Sequence, residues 1–309
     1  MTTKSDTFQL ETEDGTAVFC YRWLPEDVKA AVQIVHGGAE HAGRYERLAE
    51  QLTGVGYAVY AEDHRGHGRT ATNAEALGDM GPANGLVHTC EDVIALSHHI
   101  QGAHPDTPLI ILGHSIGSLI TQRVLIENGG AYAAAVLSGS PSVDVLKDAE
   151  ALVDAAIEDG GRGAPGDELQ MQIFASFLEG LGEFRTPFDW LSRDEAEVDK
   201  YIADPLCGFA LRIGAWRDII DAAAQTTDIE AIKQIPTDLP VYIFSGEADP
   251  VHDLGAAVEQ IAARYTEAGI ERLTKRYYAA GRHEMFNEIN REEVTGDLIE
   301  WLESVRGDQ

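Results

Sequence analysis

The stretch that most constrains this chain is Leu109-Ile110-Ile111-Leu112-Gly113-His114-Ser115-Ile116-Gly117-Ser118. Four consecutive apolar residues after Pro108 predict a fully buried strand, and residues 116–127, with Leu119, Ile120, Val124 and Leu125 apolar, predict the helix behind it. Gly113-x-Ser115-x-Gly117 lies between the two. A sharp strand-to-helix turn leaves no room for side chains beside its central residue, which accounts for both glycines and pushes the Ser115 hydroxyl out above the sheet edge. Such a turn is a nucleophile elbow, and the strand and helix in frame set it apart from an ordinary Gly-Ser turn.

The rest of the chain has the alternation that such an elbow needs. Residues 7–24 read as two strands turning at Asp14-Gly15, with Phe8 and Leu10 before the turn and Ala17, Phe19 and Tyr21 alternating after it. Strands are expected at 30–35, 57–61, 109–112, 133–137, 241–244 and 272–278, and helices at 44–52, 87–100, 116–127, 255–265 and from 291 onward. In the last helix Val294, Leu298, Leu302 and Val305 share a face beside Trp301. This rhythm predicts an α/β fold, a mostly parallel sheet with helices on both faces, entered through an antiparallel hairpin. Functional side chains should then lie on loops at the carboxyl ends of the strands.

Between Pro141 and Pro236 the rhythm breaks into helical patterns interrupted by Gly160-Gly161-Arg162-Gly163-Ala164-Pro165-Gly166. The segment reads as an insertion after the sixth strand. Its aromatics, among them Phe174, Phe177, Phe184, Phe188, Trp190, Phe209 and Trp216, predict an apolar underside. That underside is either a lid over a pocket, the preferred reading, or the insertion's own small core.

A serine hydroxyl is a poor nucleophile without a base and a group that orients the base. On this topology they should follow as acid and then histidine, each on a loop after a strand. Asp249, in Ser245-Gly246-Glu247-Ala248-Asp249-Pro250, and His283, in Gly281-Arg282-His283-Glu284, satisfy both order and context. Asp253 is the alternative acid.

Composition limits what the chain can bind. A length of 309 residues with 44% hydrophobic and 24% charged suits one large core with an added subdomain and excludes disorder. No apolar run approaches the roughly 18 residues of a membrane span, and the start Met-Thr-Thr-Lys-Ser-Asp lacks a signal-peptide core, so a cytoplasmic protein is expected. Cys20, Cys90 and Cys207 form neither a disulfide framework nor a Cys-x-x-Cys pair and read as buried thiols. With 52 acidic against 23 basic residues the net charge is −29, which argues against nucleic acid and anionic lipid as partners. Such a surface suits a saline medium that screens self-repulsion, or is simply that of an acidic protein.

Four strings carry a family resemblance: His36-Gly37-Gly38-Ala39-Glu40-His41-Ala42-Gly43-Arg44-Tyr45, Asp63-His64-Arg65-Gly66-His67-Gly68-Arg69-Thr70, Gly113-His114-Ser115-Ile116-Gly117 and Gly281-Arg282-His283-Glu284. Together they resemble the monoacylglycerol lipase and lysophospholipase-like branch of the α/β-hydrolase superfamily, of serine aminopeptidase S33 type. The first string is the most specific. The resemblance covers about residues 10–140 and 240 to the end, and Asp204-Pro205-Leu206-Cys207-Gly208-Phe209 is similar to bacterial members. Ser118 stands where many members carry a second Gly, and Gly38 where Ala is frequent.

The resemblance implies an α/β-hydrolase body of residues 1–140 and 237–309 with a helical cap of residues 141–236. It implies Ser115 as nucleophile, His283 as base and Asp249 as its orienting acid, with the backbone N–H groups of Gly38 and Ile116 forming an oxyanion hole. His36, Gly37, Glu40, His41, Arg44, the 63–68 loop, Gly113, His114 and Gly117 would support that loop and the elbow. The expected activity is hydrolysis of small lipid esters through an acyl-enzyme, with at most transient contact of the cap with a lipid surface. A thioesterase or acyltransferase on the same groups, or a silent ligand-binding hydrolase fold, are the alternatives. No cofactor is needed, and the pairs His36 and His41 or His64 and His67 lack a His-Glu-x-x-His helix, so no metal is expected.

Overall fold

The computed structural model describes residues 4–179, 181–251 and 255–307. Its strands are β1 (Lys4–Glu11), β2 (Ala17–Leu24), β3 (Ala30–Val35), β4 (Tyr57–Glu62), β5 (Leu109–His114), β6 (Ala134–Ser138), β7 (Val241–Gly246) and β8 (Leu273–Tyr278). They form one sheet in the order β1-β2-β4-β3-β5-β6-β7-β8. The β1–β2 hairpin and the β2–β4 pair are antiparallel, and the remaining pairs are parallel. The hairpin turns where Gly15 takes φ 84° and its N–H reaches the Thr12 carbonyl at 2.9 Å.

Every residue of β3, β4, β5, β6 and β7 is buried, as a sheet covered on both faces requires. Within the apolar run of β5 the side chains still alternate. Leu109 and Ile111 join the core beneath α2 (Gly85–Ala103) and α3 (Ile116–Asn128), with α10 (Ala256–Glu267) further along that face. Ile110 and Leu112 face α1 (Glu46–Gly54) and α11 (Arg291–Gly307), where Val294, Leu298, Leu302 and Val305 are buried as their spacing predicts. Burying a leucine side chain contributes roughly 1.5–3 kcal/mol, so these two stripes hold α11 on the sheet.

Between β6 and β7 the chain forms α4 (Val143–Asp148), α5 (Glu150–Gly160), α6 (Asp167–Leu178), α7 (Glu195–Ala203), α8 (Ile213–Gln225) and α9 (Ile229–Ile232). Trp216, Ile219 and Ile220 of α8 share one core with Val93 of α2 and Leu119 of α3. The same contact corrects a boundary. The α2 helix begins at Gly85, two residues before the apolar periodicity suggests, because Asp218 of α8 accepts the Gly85 N–H at 2.9 Å. Likewise α1 is preceded by a 3-10 turn over Ala42–Tyr45, where Asp63 accepts the Ala42 N–H at 2.9 Å. Of the cysteines, Cys20 and Cys90 are buried as expected, whereas Cys207 is only partly so.

Candidate active site

Ser115 joins β5 to α3 with φ 54° and ψ −126°, a conformation that costs about 1–3 kcal/mol for a residue with a side chain. Three hydrogen bonds hold it there. The Ser115 N–H donates to the Ser138 carbonyl at 2.9 Å, and the Ser115 carbonyl accepts the Ser118 N–H at 2.8 Å and the Ser118 hydroxyl at 2.7 Å. Ser118 thus fastens the turn. A β-carbon on Gly117 would collide with the Val35 and His36 carbonyl oxygens, and one on Gly113 with Thr121 and the Gly117 carbonyl. The glycines therefore press the elbow against the end of β3.

The loop that leaves β3 is fixed by buried polar groups. The His64 N–H donates to His36 Nε2 at 3.0 Å, so His36 carries its proton on Nδ1 and donates it to the Gly37 carbonyl at 2.7 Å. Because the peptide unit is planar, pinning that carbonyl aims the Gly38 N–H the opposite way. Glu40 accepts the Gly37 N–H at 2.6 Å and the Tyr45 hydroxyl at 2.9 Å, and Arg44 clamps Glu40 to Glu284 with bonds of 2.6 and 2.7 Å to the latter. His67 Nε2 accepts the Ala39 N–H at 3.1 Å. Burial pushes His36 well below the usual imidazole range and His67 down to about 3, so both rings stay neutral. Burial works against the Glu284 carboxylate, but Arg44 outweighs it and holds the group down to about 2. Among the described residues, the N–H groups of Gly38 and Ile116 have no hydrogen-bond acceptor. A β-carbon on Gly38 would come within 2.5 Å of Ile116 Cδ1, the tip of a flexible side chain, which is why alanine is tolerable at this position.

His283 and Asp249 meet as their order in the chain predicts. His283 Nδ1 lies 2.9 Å from Asp249 Oδ2, and both side chains are buried. The Ser245 hydroxyl donates to the same carboxylate at 3.1 Å and the Val251 N–H to its other oxygen at 3.0 Å. Burial disfavours the imidazolium, yet the Asp249 charge and hydrogen bond, with Glu284 and Glu40 behind, hold the His283 pKa above its ordinary 6.5. His114, 4.7 Å ring to ring from His283, is pushed down to about 4 by burial and by that neighbour. Among the described residues no hydrogen bond joins Ser115 to His283, and unliganded sites of this kind commonly close that contact only on substrate. The alternative acid, Asp253, lies outside the described residues.

Gly38, Ser115 and Ile116 line a narrow cleft of ≈ 50 Å³ together with Phe174, Trp190 and Trp216 among others. Of the seven aromatics named from the sequence, Phe174, Phe177, Trp190 and Trp216 line it, and Phe184, Phe188 and Phe209 do not. Phe174 and Phe177 pack tilted against each other and edge-on to Trp190 at ring distances of 5.2–5.6 Å, but Phe184 is 51% exposed and Phe188 packs on Tyr201. Hydrophobicity alone does not say which face of an element turns inward.

Comparison with known proteins shows the family of the chain. The family model for serine aminopeptidases of type S33 matches residues 26–290. The chain belongs to that family. Among its S33-like relatives is the monoacylglycerol lipase of Mycolicibacterium smegmatis, 30% identical over 91% of each chain. The monoglyceride lipase of Mus musculus is 28% identical over 97% of this chain and 89% of its own. A carboxyl esterase from Bacillus coagulans, solved with glycerol, has the same fold, with a TM-score of 0.89 and 24% identity over 98% of this chain and 99% of that one.

Three features of this S33 site were not legible in the sequence. Arg44 and Glu284 pair across 240 residues, and the insertion fastens the His283 loop through Glu284 N–H to the Leu191 carbonyl at 2.7 Å. The insertion also holds the loop after β3: the Ala39 carbonyl accepts the Tyr201 hydroxyl and the Gly208 N–H, each at 2.9 Å. Alanine at 39, with φ 56°, is kept in the left-handed region by those bonds. Leu191 is an apolar loop residue, Gly208 a loop glycine and Tyr201 an aromatic of α7, and none carries a sequence signal for the contact it makes.

Proposed function

We propose that this protein is a cytoplasmic serine hydrolase that cleaves monoacylglycerols and similar small neutral lipid esters through an acyl-enzyme. The observation that carries the reading is the pair of N–H groups, Gly38 and Ile116, that have no acceptor among the described residues and flank a strained Ser115 in one apolar cleft. Preorganised donors of this kind stabilise charge that develops only in the transition state. Names of relatives at about 30% identity over most of the chain support the ester class and the monoacylglycerol head group. Unpaired thiols at Cys20, Cys90 and Cys207 suit a reducing compartment.

In the mechanism, Ser115 Oγ attacks the ester carbonyl carbon while His283 Nε2 takes its proton. Asp249 keeps the Nδ1 proton in place and stabilises the imidazolium. The carbonyl oxygen, now an anion, receives the Gly38 and Ile116 N–H groups. On collapse of the tetrahedral intermediate His283 returns the proton to the leaving glycerol oxygen. Water, activated by the same imidazole, then releases the fatty acid and restores Ser115. The acyl chain lies against Phe174, Phe177, Trp190 and Trp216, which makes residues 141–236 a cap over a body of residues 1–140 and 237–309. No step calls for a metal.

The test is covalent labelling by a fluorophosphonate together with turnover of monoacylglycerols. The wild type should be labelled at Ser115, and Ser115→Ala should lose both labelling and several orders of magnitude in kcat while keeping its melting temperature. Substantial turnover by a folded Ser115→Ala protein would end the assignment.

A further inference from the structure

We propose that His41, Asp204 and Cys207 form a binding site for a borderline-soft divalent cation such as Zn2+, separate from the ester chemistry. Among the described residues this is the one group of three such side chains whose ligand atoms all lie within 4.8 Å of one another. His41 Nε2 is already 3.0 Å from Asp204 Oδ2. Asp204 and Cys207 sit three residues apart in a tight turn, closed by the Cys207 N–H on the Asp204 carbonyl at 3.0 Å and the Leu206 N–H on Asp204 Oδ1 at 2.9 Å. That turn presents two ligands side by side, as the paired residues of a Cys-x-x-Cys turn do, and His41 supplies a third from the loop between β3 and α1.

The Cys207 thiol makes no hydrogen bond among the described residues, so the His41–Asp204 contact alone does not explain it. The Asp204 side chain is 33% exposed and His41 borders an open groove beside Leu206, Tyr21 and Trp23, so solvent reaches the cluster from the Asp204 side. Thiol, imidazole and carboxylate together are the donor set that Zn2+ takes.

Binding balances simply. The cation replaces the Cys207 thiol proton, which leaves to solvent, and a thiolate plus the Asp204 carboxylate neutralise the two positive charges. His41 then gives Nε2 to the ion and carries its ring proton on Nδ1, an atom that is buried and makes no hydrogen bond among the described residues. Because Gly208 bonds the Ala39 carbonyl, an ion held by Cys207 would fasten the 201–208 segment to the loop that bears the Gly38 N–H.

The experiment uses the full-length Ser115→Ala protein, so its outcome is independent of ester turnover. Titration with Co2+ should give a thiolate-to-cobalt absorption band that saturates at one ion per chain, is erased by Zn2+, and is accompanied by a melting temperature that rises with metal concentration. Cys207→Ser should abolish the band, and His41→Ala and Asp204→Asn should each weaken binding by more than about 100-fold, since losing even a supporting partner of a ligand costs 10–100-fold. Absence of the band in the parent protein overturns the site. So does a band that survives Cys207→Ser, which would place the metal at Cys20 or Cys90.

Discussion

The elbow at the end of β5 and the helical insertion above it border one cleft but hold their shapes by different means. At the elbow backbone meets backbone: Gly117 lies against the carbonyls of Val35 and His36, and no side chain fits between. In the insertion the contacts are between apolar side chains, with Phe174 5.2 Å from Trp190 and 6.4 Å from Trp216, while Phe184 and Met171 are 51% and 66% exposed. Backbone approach dictates residue identity. Apolar packing dictates only a class of residue and a rough volume.

The sharpest way to separate the two regions is to break a buried interaction in one and trim an exposed side chain in the other. Arg44→Met leaves Glu284 and Glu40 as buried carboxylates without their cation, and should cost about 3–5 kcal/mol of stability. Phe184→Ser in the insertion should cost less than about 0.5 kcal/mol. Denaturant midpoints of the two variants measure the difference, and comparable losses would mean that the insertion is packed more tightly than its exposure indicates.

Acid should divide the regions in the same sense. His36, His67 and His114 are buried neutral with depressed pKa values, to about 3 for His67 and about 4 for His114. Below about pH 6.5 the unfolded chain takes up protons that the folded one refuses, so stability falls with pH through that range. Residues 141–236 contain no histidine. Hydrogen exchange at pH 7 and pH 5 should therefore show lost protection in the loops after β3 and β4, with the helices of the insertion unchanged. For activity the sign is set by His283: its raised pKa places the acid limb of kcat/KM above the ordinary 6.5, and a limb at or below 6 would contradict the Asp249 pairing.

The elbow offers a third comparison. Gly117→Ala must displace the end of β3 and should cost about 3 kcal/mol and most ester turnover. Gly163→Ala, in an open part of the insertion, should change neither. Assays of both variants with an acetyl ester decide this.

What the sequence discloses follows the same division. The elbow, the hairpin at Asp14-Gly15, the order of strands and the positions of Asp249 and His283 are legible because each is a local pattern of glycines, apolar periods or loop positions along the chain. Glu40 and His41 are legible as loop supports but not by what they reach: Glu40 holds Arg44, whose second carboxylate, Glu284, lies 240 residues further on, and His41 meets Asp204, 163 residues away. The aromatic richness of the insertion is visible, whereas its orientation is not. Phe184 and Trp190 look alike in the chain, and only packing puts Trp190 5.1 Å from His283 and leaves Phe184 in solvent.

A smaller effect tests whether the insertion reads the acyl chain. Each methylene buried against Phe174, Phe177 and Trp216 contributes about 0.8 kcal/mol up to the length the cleft admits. Catalytic efficiency should thus climb with acyl length and then fall. Phe174→Ala should move the cut-off to longer chains and leave acetyl ester hydrolysis within about twofold, because the transition-state contacts of Ser115 are untouched. Equal efficiency from acetyl to lauroyl in the wild type would return the insertion to a self-contained subdomain.

The smallest expected effect is that of salt, and here the insertion should respond first. Residues 141–236 carry 20 acidic against 8 basic residues, a net −12 of the total −29 in under a third of the chain. Lowering ionic strength from physiological to 0.01 M lengthens the screening distance from about 8 Å to about 30 Å, so repulsion among these surface charges rises. The body resists through buried cores on both faces of the sheet, whereas the insertion, although Trp216, Ile219 and Ile220 join one of those cores, has exposed apolar residues and surface ion pairs such as Arg217 with Glu150, Asp154 and Asp221. Surface pairs of this kind contribute about 0–1 kcal/mol each and cannot offset a dense field of like charge. Added NaCl should therefore raise the melting temperature, and low salt should flatten the chain-length profile before it lowers acetyl ester turnover. A melting temperature that stays level or falls up to about 1 M would remove charge repulsion from the account of how the insertion is held.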